Sequence, residues 1–127
     1  MAFKLKPFYD LNPVPIYRTL DEDGVLGVAS KNGTIRIHKD VTDPKQLQDV
    51  INHELVHIDQ MDPDSDDTGK FHYDNKYMYY KPKNQNKVTV TKRSPAMDGH
   101  PSLGHEKEAS NKKIQQKIKR KYDAGNI

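Results

Sequence analysis

The chain has 127 residues, of which 33% are hydrophobic and 31% charged, and its mean hydropathy is −1.00. That is length for one domain with a small core, short of the ~45–50% apolar share of an ordinary globular chain. Cys and Trp are absent, which excludes a disulfide framework, a thiolate nucleophile and every cysteine-ligated zinc module, so a metal site here must draw on His and carboxylate.

No apolar run approaches the ~20 residues of a membrane span. The N-terminal stretch is too broken by proline and charge to serve as a secretory signal. The expected setting is therefore neither secreted nor membrane-bound. The net charge of +3 is unevenly spread: Asp62, Asp64, Asp66 and Asp67 form an acidic knot, whereas Lys112, Lys113, Lys117, Lys119, Arg120 and Lys121 crowd the C-terminal segment. With no internal repeat and no separating linker, residues 1–127 read as a single domain.

Residues 1–15 read as an extended arm, because Pro7, Pro13 and Pro15 forbid a helix there. Next come two β-rich runs, Val25 to Ala29 and Thr34 to His38, joined through Lys31-Asn32-Gly33; Asn-Gly between such runs predicts a hairpin. Asp43-Pro44-Lys45-Gln46 then supplies an N-cap acid, Pro at the first helical position and Gln three residues after the cap. Leu47, Ile51, Leu55 and Ile58 form one apolar stripe, and Pro63 among its acids stops the pattern, which predicts a helix from Pro44 to Met61. Aromatic residues from Gly69 to Lys81 and the β-branched Val88 to Thr91 predict one or two strands. Glu106 to Tyr122 lacks Gly and Pro and places Ala109, Ile114, Ile118 and Tyr122 near helical spacing. It predicts a second helix within residues 104–123, basic on its exposed face.

The first helix carries His53-Glu54-Leu55-Val56-His57, the H-E-x-x-H pattern. Two histidines four apart project from one helix face, so both imidazoles reach a single tetrahedral ion, and the intervening Glu54 can address a water beside it. A third protein ligand is required. It is not the histidine of the H-E-x-x-H-x-x-G-x-x-H arrangement, since Gln60 stands in place of that glycine and Pro63 in place of that histidine. A carboxylate from the second helix is the alternative. Glu106, three residues before the small Ala109, suits a helix that packs closely on the first; Glu108 lies about 200° around the helix and points elsewhere. The plainer reading of Glu106 is an acid favoured at a helix N-terminus, and His100 or His105 could replace it as ligand.

These residues resemble the zincin-like gluzincin metallopeptidases of minigluzincin type, which carry H-E-x-x-H on one helix and E-x-x-A-[D/N] on a later one. The chain looks most like small phage-encoded members: it shows HELVHIDQ (His53 to Gln60), YDNKYMYYK (Tyr73 to Lys81) and EKEA (Glu106 to Ala109), preceded by GVLGVASKNGTIRIHKDV. The resemblance implies an α+β zincin-like fold, with a small β-sheet, the metal helix and a C-terminal ligand helix. It implies Zn2+ on His53, His57 and Glu106, Glu54 as catalytic base, and hydrolysis of a peptide or protein substrate. It also implies a place in the virion or host cytoplasm, where other particle proteins are possible partners. Where that family has Asp or Asn after the alanine, this chain has Ser110. A non-catalytic zincin-fold structural or interaction protein of a phage particle is the alternative.

Other candidates have simpler roles. His72 reads as a strand surface residue or an oxyanion donor, Tyr77, Tyr79 and Tyr80 as packing or a substrate groove, and His38 as structural. The run from Asp62 to Asp67 lacks the Gly and the closing Glu of a calcium loop, leaving a solvated loop. The basic C-terminal helix can attract phosphate, but no aromatic interleaving on it supports base reading; a solvated face or docking surface is the simpler reading.

Overall fold

The computed structural model describes residues 13–124, so most of the expected N-terminal arm lies outside the described residues. Its end forms β1 (Pro13–Val14), which pairs in parallel with β8 (Asp123–Ala124). Next, β2 (Ile16–Leu20), β3 (Gly27–Ala29) and β4 (Ile35–His38) build a sheet in the order β2-β4-β3. The expected hairpin is there: β3 and β4 run antiparallel, and Gly33 takes φ 88° in the turn, a left-handed backbone that glycine adopts without steric cost. Asn32 Oδ1 accepts from both the N–H and the hydroxyl of Thr34, at 3.2 and 2.7 Å. Parallel pairing of β2 with β4 was not foreseen, since it joins segments on either side of the hairpin's first strand.

The helix α1 spans Pro44–Met61, matching the expected bounds. Asp43 caps it, its Oδ2 accepting the N–H of Gln46 at 2.9 Å, a contact worth ~1 kcal/mol. Its buried face carries Ile51, Leu55 and Ile58, with Val50 and Val56 beside them, while Leu47 is partly covered. These side chains meet Val14 from β1, Ile16, Ile35 and Ile37 from the β2-β4-β3 sheet, and Ala109 and Ile118 from the C-terminal segment, in one core cluster.

A second three-stranded sheet follows, where one small sheet was expected. β5 (Lys70–Tyr73), β6 (Tyr77–Lys81) and β7 (Thr89–Lys92) form an antiparallel meander. Asp74 turns the chain between β5 and β6, its Oδ1 accepting the N–H groups of Lys76 and Tyr77, each at 2.8 Å.

The C-terminal segment corrects the expectation of one continuous helix over 104–123. It is two helices, α2 (Gly104–Ala109) and α3 (Lys112–Lys121). Asn111 takes an extended conformation at the break and its Oδ1 accepts from the N–H groups of Lys113 and Ile114, so a residue read as helix interior is instead an N-cap. The described residues thus form a mixed α+β structure of three small sheets, one of two strands and two of three, and three helices. No helix among them is long and apolar enough to cross a membrane.

Candidate metal centre

Helical spacing on α1 brings the rings of His53 and His57 to 4.9 Å between centroids, at 76° to one another. Ala109, fully buried, lets α2 lie against α1. From α2, Glu106 reaches across so that its Oε1 is 2.8 Å from His53 Nε2 and 3.0 Å from His57 Nε2. One ligand atom from each of the three residues falls within 4.8 Å of the others, so the group can hold a metal ion. Two imidazole nitrogens and one carboxylate oxygen form a donor set suited to a tetrahedral ion with a position left over. The three residues, together with Glu54, line a groove of about 1360 Å³.

The orientation of His57 is set by Gln60, one helical turn further along α1. The Gln60 Nε2 donates to the carbonyl of His105 at 3.0 Å and to Glu108 Oε1 at 2.8 Å, and both partners can only accept. The amide oxygen is therefore the atom 2.8 Å from His57 Nδ1, and it accepts that N–H. Neutral His57 then carries its lone pair on Nε2, toward the metal position. Glu108 points away from Glu106 as expected. It accepts from the N–H of Gly69, from Gln60 and from the Tyr80 hydroxyl, tying α2 to α1 and to the second sheet. By contrast His53 has a weak outer partner, Ser110 Oγ at 3.5 Å from its Nδ1.

Burial disfavours charge on His57, but the hydrogen bond it donates to Glu106 and the charges of Glu54 and Glu106 outweigh it, pushing the imidazole up to about 9. Burial likewise raises the Glu106 carboxyl, yet the bonds from His53 and His57 hold it well below its ordinary range. Glu54 is 8% exposed, and burial lifts its carboxyl above the usual range against the opposing pull of His57 and His53.

The strand β3 lies directly over Glu54. A Cβ at Gly27 would stand 2.6 Å from Val50 Cγ1 and 3.2 Å from Glu54 Cγ, so this approach requires glycine. Ser30 N–H donates to Thr34 O and His38 N–H to Leu26 O, so the register turns Leu26, Val28 and Ser30 toward β4 and leaves Gly27 and Ala29 facing the open edge. The Ala29 N–H is directed at the Glu54 carboxylate.

The remaining histidines are not part of the group that can hold an ion, although His105 lies beside it. His105 is 4% exposed and stacks on Phe71, with centroids 4.0 Å apart. Burial pushes it down to about 4, so it is neutral near pH 7, and its Nε2 lies 3.8 Å from Glu106 Oε2. His100 is exposed and its Nδ1 accepts the N–H of Ser102. His72 is exposed and stacks on Tyr79, and His38 Nδ1 accepts the N–H of Asp40.

Sequence reasoning missed Asp59 and Gln60 as organising groups. Asp59, fully buried, accepts hydrogen bonds from Ser65, Thr68, Lys121 and Tyr122. A polar pair two and three residues after the second histidine, on a turn of the helix that is buried, was the available signal. The acidic knot and the basic helix, read as two solvated faces, in part meet each other: Asp67 pairs with Lys117 at 3.3 Å and with Lys121 at 2.8 Å. Comparison of the chain with protein-family models, with curated proteins and with solved structures finds no match.

Proposed function

We infer that the protein is a zinc-dependent peptidase with a zincin-like fold of the gluzincin kind. The observation that carries this reading is the convergence of His53, His57 and Glu106 on one point, with the buried Glu54 beside them in the same groove. Zinc held there would act as a Lewis acid, polarising a substrate carbonyl and making water more acidic.

The chain's own residues supply the rest. Gln60 keeps the Nε2 lone pair of His57 turned inward. Glu54, its carboxyl lifted by burial, takes a proton from the attacking water and delivers it to the leaving amine. The open edge of β3 at Gly27 offers main-chain groups to an extended peptide, which would lie along the groove as an added strand. Such binding uses backbone hydrogen bonds and imposes little sequence preference.

One feature favours a second reading, in which the fold and metal persist without turnover: His53 is oriented by a hydroxyl at 3.5 Å rather than by a carboxylate. Glu54→Gln distinguishes the two. The peptidase reading expects zinc content, by elemental mass spectrometry, near one equivalent in both forms and hydrolysis of an unfolded protein substrate reduced by at least a hundredfold in the variant. Hydrolysis that survives in the zinc-loaded variant sinks the mechanism. Absence of hydrolysis in the zinc-loaded wild type favours the second reading.

A further inference from the structure

The second sheet has two faces with different chemistry. Along β6, Met78 and Tyr80 are buried, so Tyr77, Tyr79 and Lys81 point outward. Register places His72 opposite Tyr79 and Tyr79 opposite Val90 in one outward row, with Tyr77 opposite Lys92 in the next. The ring of His72 lies parallel to that of Tyr79, 4.5 Å away at 11°. Tyr77 is 39% exposed and Val90 54%, so an aromatic and apolar surface faces solvent.

Cations surround it. Residues 70–93 hold seven, Lys70, Lys76, Lys81, Lys83, Lys87, Lys92 and Arg93, against one acid, Asp74. The whole chain is +3, so this segment is +6 and everything else is −3. Some of the seven are engaged: Lys70 donates to the carbonyls of Asp62, Pro63 and Ser65, Lys81 to that of Gln85, and Arg93 pairs with Asp98. Lys76, Lys83, Lys87 and Lys92 are exposed and form no ion pair among the described residues. The acids nearby are Asp74, which accepts from two turn N–H groups and from the Tyr79 hydroxyl, and Asp66, at the far end beside Lys81 and Lys83. The helix α3, which looked the more basic element in sequence, spends Lys117 and Lys121 on Asp59 and Asp67.

We propose that the outward face of β5-β6-β7 binds single-stranded nucleic acid, with bases stacking on Tyr77 and on the His72–Tyr79 pair and phosphates drawn to Lys76, Lys83, Lys87 and Lys92. Solvent-facing aromatic rings surrounded by uncommitted cations match a strand whose bases are unpaired; a duplex keeps its bases stacked inside. Three strands about 4.8 Å apart and four or five residues long give a platform for about two or three nucleotides. The metal groove is lined instead by the opposite face, through Phe71, Tyr73 and Met78.

The test is fluorescence anisotropy of a labelled twelve-nucleotide oligothymidylate with the full chain, over a salt series starting at about 50 mM. Binding that weakens steeply with salt is expected. Tyr77→Leu should weaken it about tenfold without changing the salt slope, and Lys83→Gln with Lys92→Gln should lower that slope by about 1.4. Lys119→Gln with Arg120→Gln, on α3, should leave binding unchanged. Melting temperature and zinc content are expected to stay constant in each variant, and the lysine pair, on the open surface, provides the answer if Tyr77→Leu fails to fold. The proposal is overturned by no binding at the lowest salt, by loss of binding in the α3 variant, or by an unchanged slope in the lysine pair. Equal affinity for a duplex of the same length, or tighter binding to phosphatidylserine vesicles, overturns it as well.

Discussion

Gln60 occupies the position where a glycine would have left His57 Nδ1 to water, and its amide is held from the other side by the His105 carbonyl and Glu108. A ligand histidine whose second nitrogen is fixed loses little freedom on metal binding, and partners of this kind are worth about 10–100-fold in metal affinity. Gln60→Leu keeps the volume and removes both functions. The expected result is a zinc dissociation constant raised by that factor in competition with a chromophoric chelator. A loss of about 1–3 kcal/mol in stability should accompany it, because buried acceptors lose their donor. Ser110→Ala, which removes a contact of 3.5 Å, should change zinc affinity much less. Equal effects of the two substitutions would show that the amide does not orient the ligand.

Between elements, the corresponding group is Asp59, whose carboxylate joins α1 to the loop after it and to the end of α3. Burial works against its charge, but hydrogen bonds from Lys121, Ser65, Tyr122 and Thr68 prevail and hold its carboxyl below the ordinary range. A depressed folded value means that this stabilisation is complete above the unfolded pKa of ~3.9 and is lost as pH falls through the lower folded value. Asp59→Asn should therefore cost about 2–3 kcal/mol near pH 7 and give a denaturation midpoint that depends less on pH below about 4. Asp67→Asn, at the exposed end of the same Lys121 contact, should cost under about 1 kcal/mol. Urea melts across the pH series measure both, and a parallel acid dependence in wild type and Asp59→Asn would refute the assignment. The same residues show where legibility ended. α1 and the hairpin were readable because cap, stripe and Asn-Gly turn are local signals, and the His53–His57 pair follows from helical spacing alone. Asp59 and Gln60 were not, because Lys121, Tyr122 and Glu108 lie 48 to 63 residues away in sequence. Asn111 was legible in principle, but its side chain caps α3 where the apolar spacing suggested an unbroken helix.

For the molecule as a whole, the core is one cluster of mostly Ile and Val around α1, drawn from a chain that is only 33% hydrophobic. His53, His57 and Glu106 sit where α1 meets α2, and Ala109 of α2 belongs to that same cluster, so an ion held by the three would bind the C-terminal segment to the core. The side chains themselves also link the two helices there, through the contacts of Glu106 with His53 and His57 and the Gln60–Glu108 bond beside them. Metal binding should then appear as folding stability. Free zinc at a thousand times its dissociation constant contributes about 4 kcal/mol, which for a domain of this size raises the melting temperature by roughly 15 °C. Chelation with EDTA should reverse the shift. Glu106→Ala leaves two imidazoles on one helix, so α2 is no longer tied to the ion, and its melting temperature should be nearly the same with zinc or with EDTA. Calorimetry of both proteins in both conditions checks this directly. A wild-type melting temperature indifferent to zinc would mean that the three side chains hold no ion of consequence to the fold, whereas a shift that persists in Glu106→Ala would place the third ligand elsewhere.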